Sequence, residues 1–205
     1  MRRLISIDGP AGALEGVADD PDTDAAAYAV VCHPHPLFGG TMDNKVVTTV
    51  AGALRESGIP TLRFNYRGVG ASAGSFDEGI GETLDAAAVA DWGAARWVGR
   101  QLIVAGFSFG AYVALRLAQK RSLARILTIA PPVERCDFSG LSVPDCPWLI
   151  VQGDADDVVD PQAVARWAQA LFPPPKLLML TGVGHFFHGH LQELRDAVSD
   201  EIRSV

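Results

Sequence analysis

No stretch of this 205-residue chain is apolar over the length of a membrane span. The first nine residues, Met1 to Gly9, carry two arginines but no apolar run of signal-peptide length. Both absences argue against a membrane-embedded or exported protein. Basic charge is short as well. Lys and Arg number 17 against 24 Asp and Glu, for a formal charge of −7, which argues against a general partner for nucleic acid or anionic membrane. Cysteine is scarce: Cys32, Cys136 and Cys146 show no framework spacing. A reducing cytoplasm therefore fits best, with free thiols rather than a disulfide scaffold. Internal repeats and low-complexity linkers are missing too, so a single domain over 1–205 is the simplest reading.

What the chain does have is ample apolar content, 48%, arranged as short runs that alternate with helical patterns. Leu4 to Ile7 and Ala13 to Val17 read as a hairpin around Gly9-Pro10, followed by an acidic loop from Asp19 to Asp24. Strands are expected at Tyr28–Cys32, Thr61–Phe64, Leu102–Ala105, Arg125–Ala130, Trp148–Gln152 and Lys176–Leu180. Helices are expected at Asn44–Ser57, Glu82–Trp97, the segment after Gly110, Pro161–Leu171 and Leu191–Ile202. This alternation predicts the α/β class: a mostly parallel sheet of about eight strands, an antiparallel amino-terminal edge, and helices on both faces.

The most informative segment is Gly106-Phe107-Ser108-Phe109-Gly110, which closes an apolar strand and precedes helical spacing. Small residues two positions either side of the serine let strand and helix crowd together, and the hydroxyl stands clear at the apex. In a parallel sheet, ligands sit beyond the carboxyl ends of the strands. Two later strand ends carry the chemistry that a serine nucleophile needs. One opens into Gly153-Asp154-Ala155-Asp156-Asp157-Val158-Val159-Asp160, the other into Gly182-Val183-Gly184-His185. Histidine can take the serine proton near neutral pH, and a carboxylate can hold the imidazole in the required tautomer. His185 is the one plausible base, while several aspartates compete as its partner. His188 and His190 read as ordinary residues ahead of the last helix. The aspartate loop lacks the glycine and closing glutamate of a calcium loop, and the histidines lack accompanying ligands at zinc spacing. No metal or cofactor is expected.

These segments, with Cys32-His33-Pro34-His35-Pro36-Leu37-Phe38-Gly39-Gly40, resemble the α/β-hydrolase superfamily on its dienelactone-hydrolase-like side. The similarity is greatest to compact bacterial serine hydrolases that carry a Cys-His-Pro-His-Pro-Leu segment and no lid, and it spans essentially the whole chain. Dienelactone hydrolases carry cysteine at the apex. Ser108 therefore implies an esterase-type mechanism instead. The resemblance implies a Ser108, Asp156 and His185 triad, with Asp154 and Asp157 the alternatives for the acid. It also implies oxyanion donors from Phe109 N–H and from the loop after the third strand. Prolines have no N–H, so Leu37 is the expected second donor and Phe38 the next. The Gly-rich segment Arg67–Ser72 lacks a P-loop lysine and the third glycine of a dinucleotide fingerprint. It is expected to be structural, with Arg67 a buried brace.

Only Pro131 to Pro147 separates two strands where lids are commonly inserted, so an open site is expected. That favours small soluble acyl esters, with Phe38, Phe107 and Phe186 the expected substrate contacts. A thioesterase or small peptidase would use the same machinery. A hydrolase-fold ligand-binding protein with slow or no turnover is the reading from another class. The expected partner is a small acyl ester or thioester, and a homo-oligomer is compatible with the sequence.

Overall fold

In the computed structural model, which describes residues 1–203, strands β1 (Arg2–Gly9) and β2 (Gly12–Asp19) pair antiparallel around a turn at Pro10-Ala11. β2 also pairs antiparallel with β4 (Thr61–Phe64). All further pairings are parallel, through β3 (Ala27–Cys32), β5 (Gln101–Phe107), β6 (Arg125–Ile129), β7 (Trp148–Gly153) and β8 (Lys176–Leu180). The order across the sheet is β1-β2-β4-β3-β5-β6-β7-β8. Both hairpin strands run longer than their apolar cores suggest, β1 by the exposed Arg2 and Arg3 and the following Asp8 and Gly9, β2 by Gly12, Ala18 and Asp19. The central strands behave differently. Every residue of β3, β4, β6 and β7 is buried, which explains why these strands are apolar except at Thr61, Arg63, Arg125, Thr128 and Gln152: helices cover both faces of the central sheet.

Among the described residues, five α-helices supply that cover: α1 (Lys45–Glu56), α2 (Ile80–Arg96), α3 (Phe109–Ala118), α4 (Pro161–Ala170) and α5 (Leu191–Arg203). The starts of α1 and α4 follow their sequence. Asn44 Oδ1 accepts the Val46 N–H at 2.9 Å, and Asp160 Oδ1 accepts the Gln162 N–H at 2.9 Å ahead of Pro161. On one face, Val46, Val50 and Leu54 of α1 share a core with Leu194 and Val198 of α5. On the other, Val89 of α2, Val113 and Leu117 of α3 and Val164 of α4 form the second core.

The strand order positions the site. From β3 the chain passes through α1 to β4 on one side, then returns through α2 to β5 on the other side of β3. Connections that depart in opposite directions leave a crevice at the carboxyl ends of β3 and β5. The β6–β7 connection, residues 130–147, contains no helix or strand. No cap covers the crevice from there.

His33 ties the crevice together from beneath. It is fully buried beyond β3; its Nδ1 donates to the Pro34 carbonyl at 2.7 Å, and its Nε2 accepts the Tyr66 N–H at 3.1 Å beyond β4. Burial, only partly opposed by the Pro34 carbonyl, holds its pKa down from 6.5 to about 3. The folded protein keeps this ring neutral in mild acid, whereas the unfolded chain protonates it. The unfolded state thus binds more protons, and stability must fall as the pH drops from about 6.5 toward 3. At a pH of about 4.5 this group should cost about 2–3 kcal/mol relative to neutrality. Urea unfolding at both pH values should show a smaller acid loss in His33→Gln than in the parent. Equal losses in the two proteins would refute this account.

Candidate active site

β5 ends at Phe107 and α3 begins at Phe109, so Ser108 alone makes the turn. Its φ of 54° and ψ of −120° lie in a region that a residue with a side chain rarely adopts. Two glycines make the turn sterically feasible. A Cβ on Gly106 would run into the Gly110 carbonyl, and one on Gly110 would run into the Cys32 carbonyl at the end of β3. The turn is anchored by the Ser108 N–H, which donates to the Ile129 carbonyl of β6 at 2.8 Å. The Ser108 side chain makes no capping bond to α3. Its hydroxyl is left for other use.

That hydroxyl meets His185, which follows β8. Ser108 Oγ lies 3.2 Å from Nε2, and Nδ1 lies 2.8 Å from Oδ2 of Asp156, which follows β7. The other oxygen of Asp156, Oδ1, accepts the N–H groups of Val158 and Val159 at 2.9 and 2.8 Å. Burial pushes the Asp156 carboxyl upward. The hydrogen bonds from His185, Val159 and Val158, together with the electrostatic attraction of the His185 ring, outweigh it and hold the group below its ordinary value. An ionised Asp156 fixes the proton on Nδ1, which leaves Nε2 free to accept the proton of Ser108. The remaining aspartates lie elsewhere. Asp154 Oδ1 accepts the Gly182 N–H at 2.6 Å and braces the histidine loop, Asp160 caps α4, and Asp157 is exposed.

Sequence reasoning missed Gln152. This residue is fully buried, and its Nε2 donates to Asp156 Oδ2 at 3.0 Å and to the Gly153 carbonyl at 3.2 Å. Two acceptors on one side fix the orientation of the amide, and its Oε1 is left buried without a partner. The available signal was one amide side chain closing an otherwise apolar strand.

The loop after β3 departs from expectation. The Leu37 N–H donates to Nδ1 of the His35 ring at 3.2 Å, and the Phe38 N–H donates to the His35 carbonyl at 3.1 Å. Leu37 is therefore not the free donor that elimination of the prolines suggested. The short 3₁₀ turn Pro36–Phe38 folds back on His35 and consumes the donors that follow it. The His35 N–H makes no hydrogen bond among the described residues, and the Phe109 N–H at the uncapped start of α3 is likewise unengaged. His35 and Phe109 lie together, with ring centroids 4.8 Å apart.

Ser108, His35 and Phe109 line an open cleft of about 670 Å³, with Phe38, Phe76 and Tyr112 along it and Pro132, Arg135 and Cys136 contributed by the β6–β7 connection. Phe38 lines this cleft. Phe107 does not: it is 1% exposed, and its ring packs 5.1 Å from that of His185 instead of lining the cleft. Phe186 also falls outside the cleft. It is partly exposed beside the histidine loop, edge-on to the rings of His185 and Phe107. Alternation along the strand end turns Phe107 inward, opposite to its neighbours. Arg67 is the buried brace expected of it, with Nε and one terminal nitrogen on Asp85 at 3.0 and 2.8 Å.

The chain is similar to several known proteins. The crystal structure of XC6422 from Xanthomonas campestris, described as an α/β serine hydrolase without lid, is 47% identical, with 99% of this chain and 94% of that one covered and a TM-score of 0.95. An α/β serine hydrolase homologue from Coxiella burnetii is 43% identical over 97% of this chain and 96% of its own, at a TM-score of 0.93. The uncharacterized protein RP471 of Rickettsia prowazekii is 36% identical over 98% of this chain and 89% of its own length. No protein-family model matches the chain.

The glycine contacts lead to a direct expectation. Gly106→Ala should destabilise the fold by about 3 kcal/mol or more, because the obstacle is backbone that cannot swing aside. Gly140→Ala, where a Cβ meets nothing within 4 Å, should stay within about 0.5 kcal/mol of the parent. Denaturant midpoints of the three proteins check both. Similar midpoints for all three would show that the elbow does not need its close approach.

Proposed function

We propose that this chain, which belongs to the α/β serine hydrolases that lack a lid, cleaves small carboxylic esters through an acyl-enzyme on Ser108. One observation carries the reading: an unbroken hydrogen-bonded run from Ser108 Oγ through His185 to Asp156, at the edge of an open cleft. Each part has a task that its surroundings suit. Ser108 Oγ attacks the ester carbonyl carbon as its proton passes to His185 Nε2. The carbonyl π electrons move onto oxygen, and this oxyanion takes hydrogen bonds from the Phe109 and His35 N–H groups. Both donors belong to stiff segments, so little reorganisation accompanies charge development. Collapse of the tetrahedral adduct expels the alcohol, which collects the proton held by His185. Water then repeats the sequence on the acyl-enzyme and releases the acid. Throughout, Asp156 stays ionised and stabilises the imidazolium without taking its proton.

Small esters are favoured because none of the described residues covers the cleft, and a long lipid chain would keep much of its surface in water. Three free thiols, Cys32, Cys136 and Cys146, support a reducing, cytoplasmic setting.

A fluorophosphonate probe should label the folded protein at Ser108, and a p-nitrophenyl ester of a short acid should give a burst of p-nitrophenol that Ser108→Ala lacks. A folded protein that shows neither sinks the proposal. Asp156→Asn should lower kcat by about 10³–10⁴-fold, since an amide at this position favours the wrong imidazole tautomer. Asp154→Asn and Asp157→Asn should stay within about threefold, because neither group touches the imidazole; comparable losses in all three would remove Asp156 from its role. Gln152→Leu should lower kcat by about tenfold with Tm little changed, as loss of the unpartnered Oε1 offsets loss of the Asp156 contact. A variant that unfolds early yet retains full kcat would make Gln152 merely structural.

A further inference from the structure

The proposed ester cleavage leaves open what the cleft recognises, and the following rests on that reading. The volume near Ser108, about 670 Å³, far exceeds what an acetyl or propionyl group fills. Its lining is also lopsided. His35 stands at the centre of an aromatic array, with its ring centroid 4.8 Å from Phe38, 4.9 Å from Phe76 and 4.8 Å from Phe109. Phe76 and Phe109 also touch, at 5.8 Å, and Tyr112 continues the row. Interplanar angles of 38° to 57° tilt these rings relative to one another. Tilted rings offer both faces and edges to a ligand ring.

Phe38 is the telling member. Its side chain is 84% exposed at the lip of the cleft, on a turn held by three backbone hydrogen bonds to His35 and Pro36. A rigid loop thus holds a large apolar ring toward water, against the trend for such side chains. The charged side chains around the cleft supply no competing selection of one sign. Arg135 and Glu78 both line the cleft, are exposed and make no ion pair among the described residues, and their opposite signs favour neither anion nor cation. Asp137 is turned onto Ser139, whose N–H and hydroxyl donate to its Oδ1 at 2.9 and 2.6 Å. Phe76 is held rigid as well: the loop just after it is pinned by Glu82, which accepts the Asp77 and Gly79 N–H groups at 2.8 and 2.7 Å.

We propose that the aromatic array of Phe38, His35, Phe76 and Phe109 recognises uncharged esters bearing an aryl group on the acyl side. In an open site a ligand keeps one side in water, so burial alone discriminates poorly. Ring geometry adds a contact that an aliphatic group of equal size cannot make. It is worth about threefold to tenfold in binding for each ring pair.

The test compares methyl phenylacetate, methyl cyclohexylacetate and methyl butyrate. These share a leaving group that is not itself aromatic. In the parent protein, kcat/KM for the phenyl ester should exceed that for the cyclohexyl ester by at least about fivefold. Phe38→Leu/Phe76→Leu keeps the lining apolar and should bring that ratio close to one, with kcat/KM for the phenyl ester falling by a larger factor than that for methyl butyrate. Binding is read separately in Ser108→Ala by saturation-transfer NMR, where the phenyl ester should bind more tightly and lose that advantage in the Leu pair. Equal or better use of the cyclohexyl ester, or a preference that survives the double substitution, overturns the proposal. Selective binding without any turnover in the parent would leave it standing and would strike the ester-hydrolase reading instead.

Discussion

The first turn of α3 lies so close to the carboxyl end of β3 that no side chain fits between them, and the site depends on that approach. Gly110 meets the Cys32 carbonyl, and Gly106 meets the Gly110 carbonyl. Contact at this distance forces Ser108 into a strained conformation, which costs about 1–3 kcal/mol. It also leaves the start of α3 uncapped, because the serine side chain points away from its own helix. What looks like a structural deficit is the source of the arrangement. A helix with a satisfied amino terminus would have no N–H to offer, and a relaxed turn would keep its hydroxyl in the sheet.

Around this point each reactive loop is tied by a polar group of its own. Asp154 fastens the acid loop to the histidine loop at Gly182, His33 joins the ends of β3 and β4, and Gln152 holds Asp156 from inside the sheet. Glu82 gathers the backbone ahead of α2 in the same way. The ties made by His33 and Gln152, and that from Glu82 to Gly79, are buried, where an unmade hydrogen bond is expensive; the one at Asp154 lies at the surface. These ties fix loop positions without a lid. The open side of the cleft can then remain in water while the geometry at Ser108 is kept.

Much of this was legible in the chain. Serine between two glycines after an apolar strand, and aspartate and histidine beyond later strands, depend on local spacing, which survives into the fold. The errors have a common origin. Elimination of Pro34 and Pro36 led to Leu37, yet the following 3₁₀ turn engages the Leu37 and Phe38 donors and leaves His35 free. Phe107 and Phe186 neighbour reactive residues in sequence but turn away from the cleft. Gln152 was overlooked because nothing local distinguishes a buried amide that reaches a carboxylate from one that ends a strand. Hydrogen-bond competition and side-chain direction are settled only after distant segments meet.

By itself, then, the sequence determined the alternation of strands and helices, the elbow at Ser108 and the absence of an insertion between β6 and β7, since each rests on residues adjacent in the chain. Tertiary structure decided the rest: the β4-β3-β5 order that opens the crevice, the contact of Asp156 rather than its neighbours with His185, and the gathering together of Phe38, His35, Phe76 and Phe109. These depend on contacts between residues far apart in sequence, whose formation is governed by packing and loop closure, not by local preference.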